Sequence, residues 1–125
     1  MAYLDIHADY PCGHPLRKNP RPLCDAVETA VAGIFVVPLS QLRKRSRGAA
    51  SVAFARQSAM YLAHVVFSLS YAEVGRAFHR DRTTAAHACR LIEERRDDPV
   101  FDAVLGALED ACLSLRYRRT EEAGS

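Results

Sequence analysis

The chain has 125 residues, 49% apolar and 26% charged, with a net charge of +2. That is enough for one domain with one core, and too little for a catalytic domain beside a separate reader. Its longest apolar run, residues 30–39, is broken by Gly33 and Pro38 and falls short of the roughly 20 residues that a membrane span needs, so no membrane partner is expected.

The charge is segregated. Residues 42–96 hold eleven Arg or Lys against four acids, whereas the remainder holds six basic and eleven acidic residues. Such a chain is set up to attract a polyanion on one side. Asp5, His7 and Asp9 open the N-terminus in place of a basic stretch and an apolar run, so no secretory signal and a cytoplasmic location are expected.

Residues 1–22 contain Pro11, Pro15, Pro20 and Pro22 and read as an irregular arm. Cys12, His14, Cys24 and His7 match no common zinc spacing, and no metal or other cofactor is expected. Cys89 and Cys112 fall on apolar helix faces, as small core residues do.

A helical domain is expected over residues 23–116. Leu23, Val27, Ala30, Val31 and Ile34 recur at helical spacing and predict a first helix ending before Pro38. A short second helix follows at residues 39–45, running into the basic residues Arg43, Lys44, Arg45 and Arg47. Ala55, Ala59, Leu62 and Val66 stripe a longer third helix over residues 50–67. Ser70 and Glu73 have the spacing of a capping box, which starts a helix at Tyr71 that ends near Phe78. Asp81 caps the next helix, in which Ala85, Ala88, Cys89 and Ile92 form the buried face and Thr83, Thr84, His87 and Arg90 lie largely on others. Asp98 and Pro99 start a last helix with Phe101, Val104, Leu105, Leu108, Cys112 and Leu115 as its core stripe, and residues 117–125 read as a polar tail.

Two helices joined by a turn of about three residues, the second beginning with short polar and basic side chains, have the form of a helix-turn-helix. In that arrangement the start of the second helix enters the major groove, where base edges present distinct donors and acceptors. Gly75, in the first of the two helices, lets them approach closely. The bland alternative is an ordinary helical hairpin. His87 and Asp81 sit at i and i+6 with no nucleophile elbow or metal-ligand set beside them, so no enzyme is expected.

The residues also carry a resemblance. Ala55-Arg56-Gln57-Ser58-Ala59-Met60-Tyr61-Leu62, Ser68-Leu69-Ser70-Tyr71-Ala72-Glu73-Val74-Gly75-Arg76-Ala77-Phe78 and Arg80-Asp81-Arg82-Thr83-Thr84-Ala85-Ala86-His87-Ala88-Cys89-Arg90-Leu91-Ile92-Glu93 resemble the C-terminal DNA-binding domain (domain IV) of the bacterial replication initiator DnaA. The resemblance implies an all-α multi-helix domain that binds double-stranded DNA, with a basic loop at Arg43, Lys44, Arg45 and Arg47 in the minor groove. It implies Arg80, Asp81, Arg82, Thr83, Thr84 and His87 at the recognition helix, and further contacts at Arg56, Gln57, His64, Leu69 and Tyr71. Arg82 stands where the family usually has histidine, and His79 where it has a two-glycine turn.

No GxxxxGK[ST] phosphate loop lies in these 125 residues, so they carry no ATP-driven motor of their own. The chain is similar in this respect to stand-alone regulators, including activators of phage-like gene transfer agent clusters. The expectation is a nucleoid-associated transcriptional regulator, with RNA polymerase, a sigma-like factor or another DNA-bending protein as further partners. A replication modulator competing at origin sites, or an adaptor that has lost DNA binding, is the alternative.

Overall fold

Helix starts are written in local chemistry. The Ser70 hydroxyl accepts from the Glu73 N–H at 3.1 Å while the Glu73 carboxylate accepts from the Ser70 N–H at 2.8 Å, so two otherwise orphaned donors are satisfied. The Asp81 carboxylate accepts from the Thr84 N–H at 2.7 Å, and the Asp98 carboxylate from the Val100 N–H at 3.0 Å. The computed structural model describes residues 20–44 and 48–124, with residues 116–124 described by backbone alone. Among these residues it contains six helices and no strand: α1 (Arg21–Phe35), α2 (Leu39–Leu42), α3 (Ala50–Phe67), α4 (Tyr71–Phe78), α5 (Arg82–Arg95) and α6 (Pro99–Gly124). The all-α expectation holds.

α3 is the hub and packs against all five other helices. Twelve of its 18 residues are buried, because neighbours approach from nearly every side. Ala55, Ala59 and Ala63 are fully buried and keep the helix thin where its neighbours close in, while Leu62 and Phe67 fill the core. Each of the two larger side chains stabilises by about 1.5–3 kcal/mol relative to an exposed position. Leu23, Val27 and Val31 of α1, Ala85, Ala88, Cys89 and Ile92 of α5, and Leu105, Leu108 and Cys112 of α6 complete the core.

Four boundaries or faces depart from expectation. α1 begins at Arg21, since proline is tolerated in a first turn and Pro22 occupies that position. Ile34 is 53% exposed, because the last turn of α1 instead directs Phe35 onto Phe54, with ring centroids 5.8 Å apart. α2 stops after Leu42, with Arg43 as its C-cap. α6 runs on through the expected polar tail to Gly124, over residues that are mostly good helix formers.

Buried charge is paired. The Glu28 carboxylate, 3% exposed, accepts from Arg21 at 2.6 Å and from Arg43 at 3.2 Å. Arg96, the C-cap of α5, donates to Asp102 at 2.6 Å, Glu109 at 2.8 Å and the Tyr61 hydroxyl at 3.1 Å. These bonds hold the guanidinium pKa above its ordinary value, with Glu109 contributing most. They also fasten the far end of α5 to α3 and α6. No helix among the described residues is long and apolar enough to cross a membrane.

Candidate nucleic-acid interface

α4 and α5 are joined by a tight turn. His79 adopts a left-handed conformation (φ 57°), and the Arg80 N–H donates to the Gly75 carbonyl at 2.8 Å. This is the backbone pattern with which helices commonly end at glycine, here carried by a histidine. A Cβ at Gly75 would lie 2.6 Å from the Arg80 carbonyl oxygen and 3.1 Å from the Asp81 carbonyl carbon and oxygen. The expected close approach at Gly75 is therefore real, and it is to the turn leading into α5.

The start of α5 is capped by Asp81 and its outer face is exposed. Ala85, Ala88, Cys89 and Ile92 are buried against the core, whereas Arg82, Thr83, Thr84 and His87 are exposed, as the spacing predicts. The Asp81 carboxyl is held below its usual range, chiefly by the Thr84 N–H and then by the Thr84 hydroxyl and the Thr83 N–H. Beside this face, a groove between α3 and α5 is lined by Arg56, Gln57 and Met60 of α3, by Thr84, His87 and Leu91 of α5, and by Arg80 of the turn. Gln57 and Arg80 are thus brought together with Thr84 and His87.

The basic segment is not uniformly available. Arg43 is exposed, but its guanidinium pairs with Glu28 and Asp25, each at 3.2 Å. The Lys44 side chain is exposed and makes no hydrogen bond or ion pair with a described residue, while its carbonyl accepts from Arg80 at 3.2 Å. Arg45 and Arg47 lie outside the described residues. Arg56 is buried, with Nε donating to the Leu42 carbonyl at 2.9 Å and Nη2 to the Gln41 carbonyl at 3.1 Å. Burial, and then the nearby charge of Arg80, lower its pKa.

Two more expected contacts are withdrawn from the surface. Leu69 is fully buried, and His64 is 2% exposed with Nδ1–H donating to the Leu69 carbonyl at 2.7 Å. These side chains fix the α3–α4 connection and present nothing to a polyanion. Sequence spacing could not show this, since the ring and the carbonyl meet only when the chain reverses after Phe67. Tyr71 is half-buried and stacks on His64 with ring centroids 4.4 Å apart, which leaves only part of its ring accessible.

The profile of the bacterial DnaA protein helix-turn-helix matches residues 24–92. The chain belongs to the bacterial DnaA helix-turn-helix family. It is similar to the chromosomal replication initiator protein DnaA of Laribacter hongkongensis, 39% identical over 89 residues that make up 68% of this chain and 18% of that protein. DnaA of Chromobacterium violaceum is 39% identical over 94 residues, 73% of this chain and 19% of that one. Among solved structures, a DNA replication initiation factor matches with a TM-score of 0.67 at 33% identity, covering 75% of this chain and 29% of that chain. Replication initiator DnaA bound to AMPPCP and single-stranded DNA matches at 0.65 and 32% identity, covering 75% and 28%. The chain spans about a fifth of the length of the curated relatives it matches.

As a DnaA-type helix-turn-helix, the site is α4, the His79–Asp81 turn and α5, so the bland hairpin reading is set aside. One residue absent from the expected contacts shares their exposed face. Arg90 is exposed, makes no hydrogen bond or ion pair with a described residue, and continues the i, i+4, i+7 line of Thr83 and His87. That spacing was legible in the sequence. Among the described residues no cluster of His, Cys, Asp and Glu could hold a metal. The Cys24 and Cys89 thiols are pushed up to about 12 and the Cys112 thiol to about 11, in each case mainly by burial. Cys12, His14 and His7 lie outside the described residues.

Proposed function

We propose that this DnaA-type domain is a non-enzymatic regulator of transcription that binds specific double-stranded DNA sequences, with the first two turns of α5 in the major groove. One observation carries the reading. The opposite face of α5 is locked into the core by Ala85, Ala88 and Ile92, so Arg82, Thr83, Thr84 and His87 are presented outward on a helix that cannot roll. Arg82, like Lys44 and Arg90, makes no hydrogen bond or ion pair with a described residue, so its donors need leave no described partner to meet DNA.

In this reading Lys44 and the neighbouring Arg45 and Arg47 meet the backbone or minor groove beside the site, and Gln57 and Arg80 flank the recognition helix. RNA polymerase, a sigma-like factor or a DNA-bending protein would be the partner at a promoter, and a phage-like or gene transfer agent cluster is one fitting target. The names of the relatives favour a second reading, modulation of replication by competition at origin sites. Selection of bound duplexes from a random pool, followed by chromatin immunoprecipitation with sequencing, tests both. Promoter peaks carrying the selected motif support transcriptional control, and peaks confined to the origin support the second reading. A wild-type protein that retains no duplex and gives no peaks removes DNA binding altogether.

A further inference from the structure

α2 is a single turn of four residues. So short a helix has no stability of its own, because nucleation fixes several dihedral angles for one hydrogen bond. Its last carbonyls also lack partners within the helix. Among the described residues no backbone N–H donates to the Leu42 carbonyl, and the Gln41 carbonyl receives the backbone N–H groups of Arg43 and, at 3.3 Å, of Lys44.

Arg56 brings side-chain donors to both carbonyls. From α3, its Nε donates to the Leu42 carbonyl at 2.9 Å and its Nη2 to the Gln41 carbonyl at 3.1 Å, in a residue only 5% exposed. Two residues on, Arg80 donates to the Lys44 carbonyl at 3.2 Å and to the His79 carbonyl at 3.1 Å. The backbone entering the basic loop is therefore fastened first to α3 and then to the turn that carries α5.

We propose that Arg56 is a positioning residue, which presets the backbone of Gln41 to Lys44 so that Lys44 and α5 meet duplex DNA as one preorganised unit, without itself touching a phosphate. This rests on the duplex-binding reading above. Preorganisation matters because any ordering of this backbone that DNA must impose is subtracted from the affinity. The planar guanidinium suits the task, since two donors in a fixed fork reach two successive carbonyls, and a lysine ammonium cannot copy that geometry.

Arg56→Lys and Arg56→Gln, compared with wild type, test the assignment. Amide hydrogen exchange at Leu42, Arg43 and Lys44 is measured in the free protein, and binding of the duplex selected by wild type is measured across a range of salt. We expect exchange at these amides to accelerate roughly tenfold or more in both variants, the scale of losing charge-assisted hydrogen bonds. We expect affinity to fall in both, with an unchanged slope of log K against log salt.

Arg56→Lys carries the decision, because it keeps the charge and the stem. A phosphate contact is rescued by lysine and a carbonyl brace is not, so near-wild-type affinity in Arg56→Lys with unchanged exchange overturns the proposal. A slope shallower by about 0.9 in Arg56→Gln, the release of one phosphate contact, does the same. Wild type that binds duplex while exchange and affinity stay unchanged in both variants overturns this inference alone. Failure of wild type to hold any duplex overturns the reading beneath it.

Discussion

The Gly75 carbonyl accepts from the Arg80 N–H at 2.8 Å, and the Arg80 carbonyl oxygen in turn sits 2.6 Å from where a Gly75 Cβ would be. The two residues close the turn between α4 and α5 so tightly that no side chain fits at Gly75. Gly75→Ala gains about 1 kcal/mol of helix propensity. It must also push backbone away from backbone, at roughly 1–3 kcal/mol. We expect a net loss of stability in urea unfolding and weaker DNA binding, and a variant more stable than wild type would show that the turn opens freely. His79→Gly should act oppositely and stabilise by about 1 kcal/mol, because the residue is already left-handed at φ 57°.

Salt dependence should follow the uncommitted cations and not the basic run as such. Lys44→Ala and Arg90→Ala are each expected to flatten the slope of log K against log salt by about 0.9, as one released phosphate contact does. Arg43→Ala should leave the slope nearly unchanged, because that guanidinium already pairs with Asp25 and Glu28. Equal slope changes for Arg43 and Lys44 would mean that the acids of α1 surrender Arg43 to DNA.

His87 and Ala88 are neighbours with opposite fates. His87→Ala should leave stability within about 0.5 kcal/mol of wild type, as surface substitutions do, while specific binding falls. Ala88→Asp places a carboxylate where the native side chain is 2% exposed and should unfold the domain. Thermal melts of both variants beside binding assays check the facing of α5, which is wrong if the first variant melts and the second is tolerated.

The cap of α5 titrates. The Asp81 carboxyl is held below its ordinary 3.8 by the Thr84 N–H, so its contribution to stability is complete above that value and is lost as pH falls through the lowered folded value. Asp81→Asn keeps a cap oxygen but cannot ionise. The melting-temperature difference between wild type and Asp81→Asn should therefore be constant around neutral pH and shrink in acid. A difference that grows as pH falls would place the carboxylate in an unfavourable site.

Arg82 is exposed at the first helical position of α5 and makes no hydrogen bond or ion pair with a described residue, so its planar fork is available to guanine O6 and N7. Asp81, beside it, can also accept from a cytosine amino group. Losing a bidentate base contact costs roughly 1–3 kcal/mol at one base position. Duplex selection with wild type and Arg82→His in parallel is expected to return motifs that differ at one position. The same motif at uniformly lower affinity would assign Arg82 to the phosphate backbone.

The sequence by itself determined the helix-turn-helix, because its parts are local. The Ser70–Glu73 capping box, the Asp81 cap and the 85, 88, 89, 92 stripe each depend on residues within two turns of one another, and each stands where spacing puts it. Only the tertiary structure decided which arginines remain for DNA. In the sequence Arg43, Arg56, Arg82 and Arg90 are the same cation. Arg43 loses its freedom to Glu28, 15 residues away, and Arg56 to the Leu42 carbonyl, 14 residues away, whereas Arg82 and Arg90 meet no such partner among the described residues. Periodicity reports which side of a helix a residue occupies, but the partner that claims a charge arrives from another helix, and helix packing alone sets that encounter.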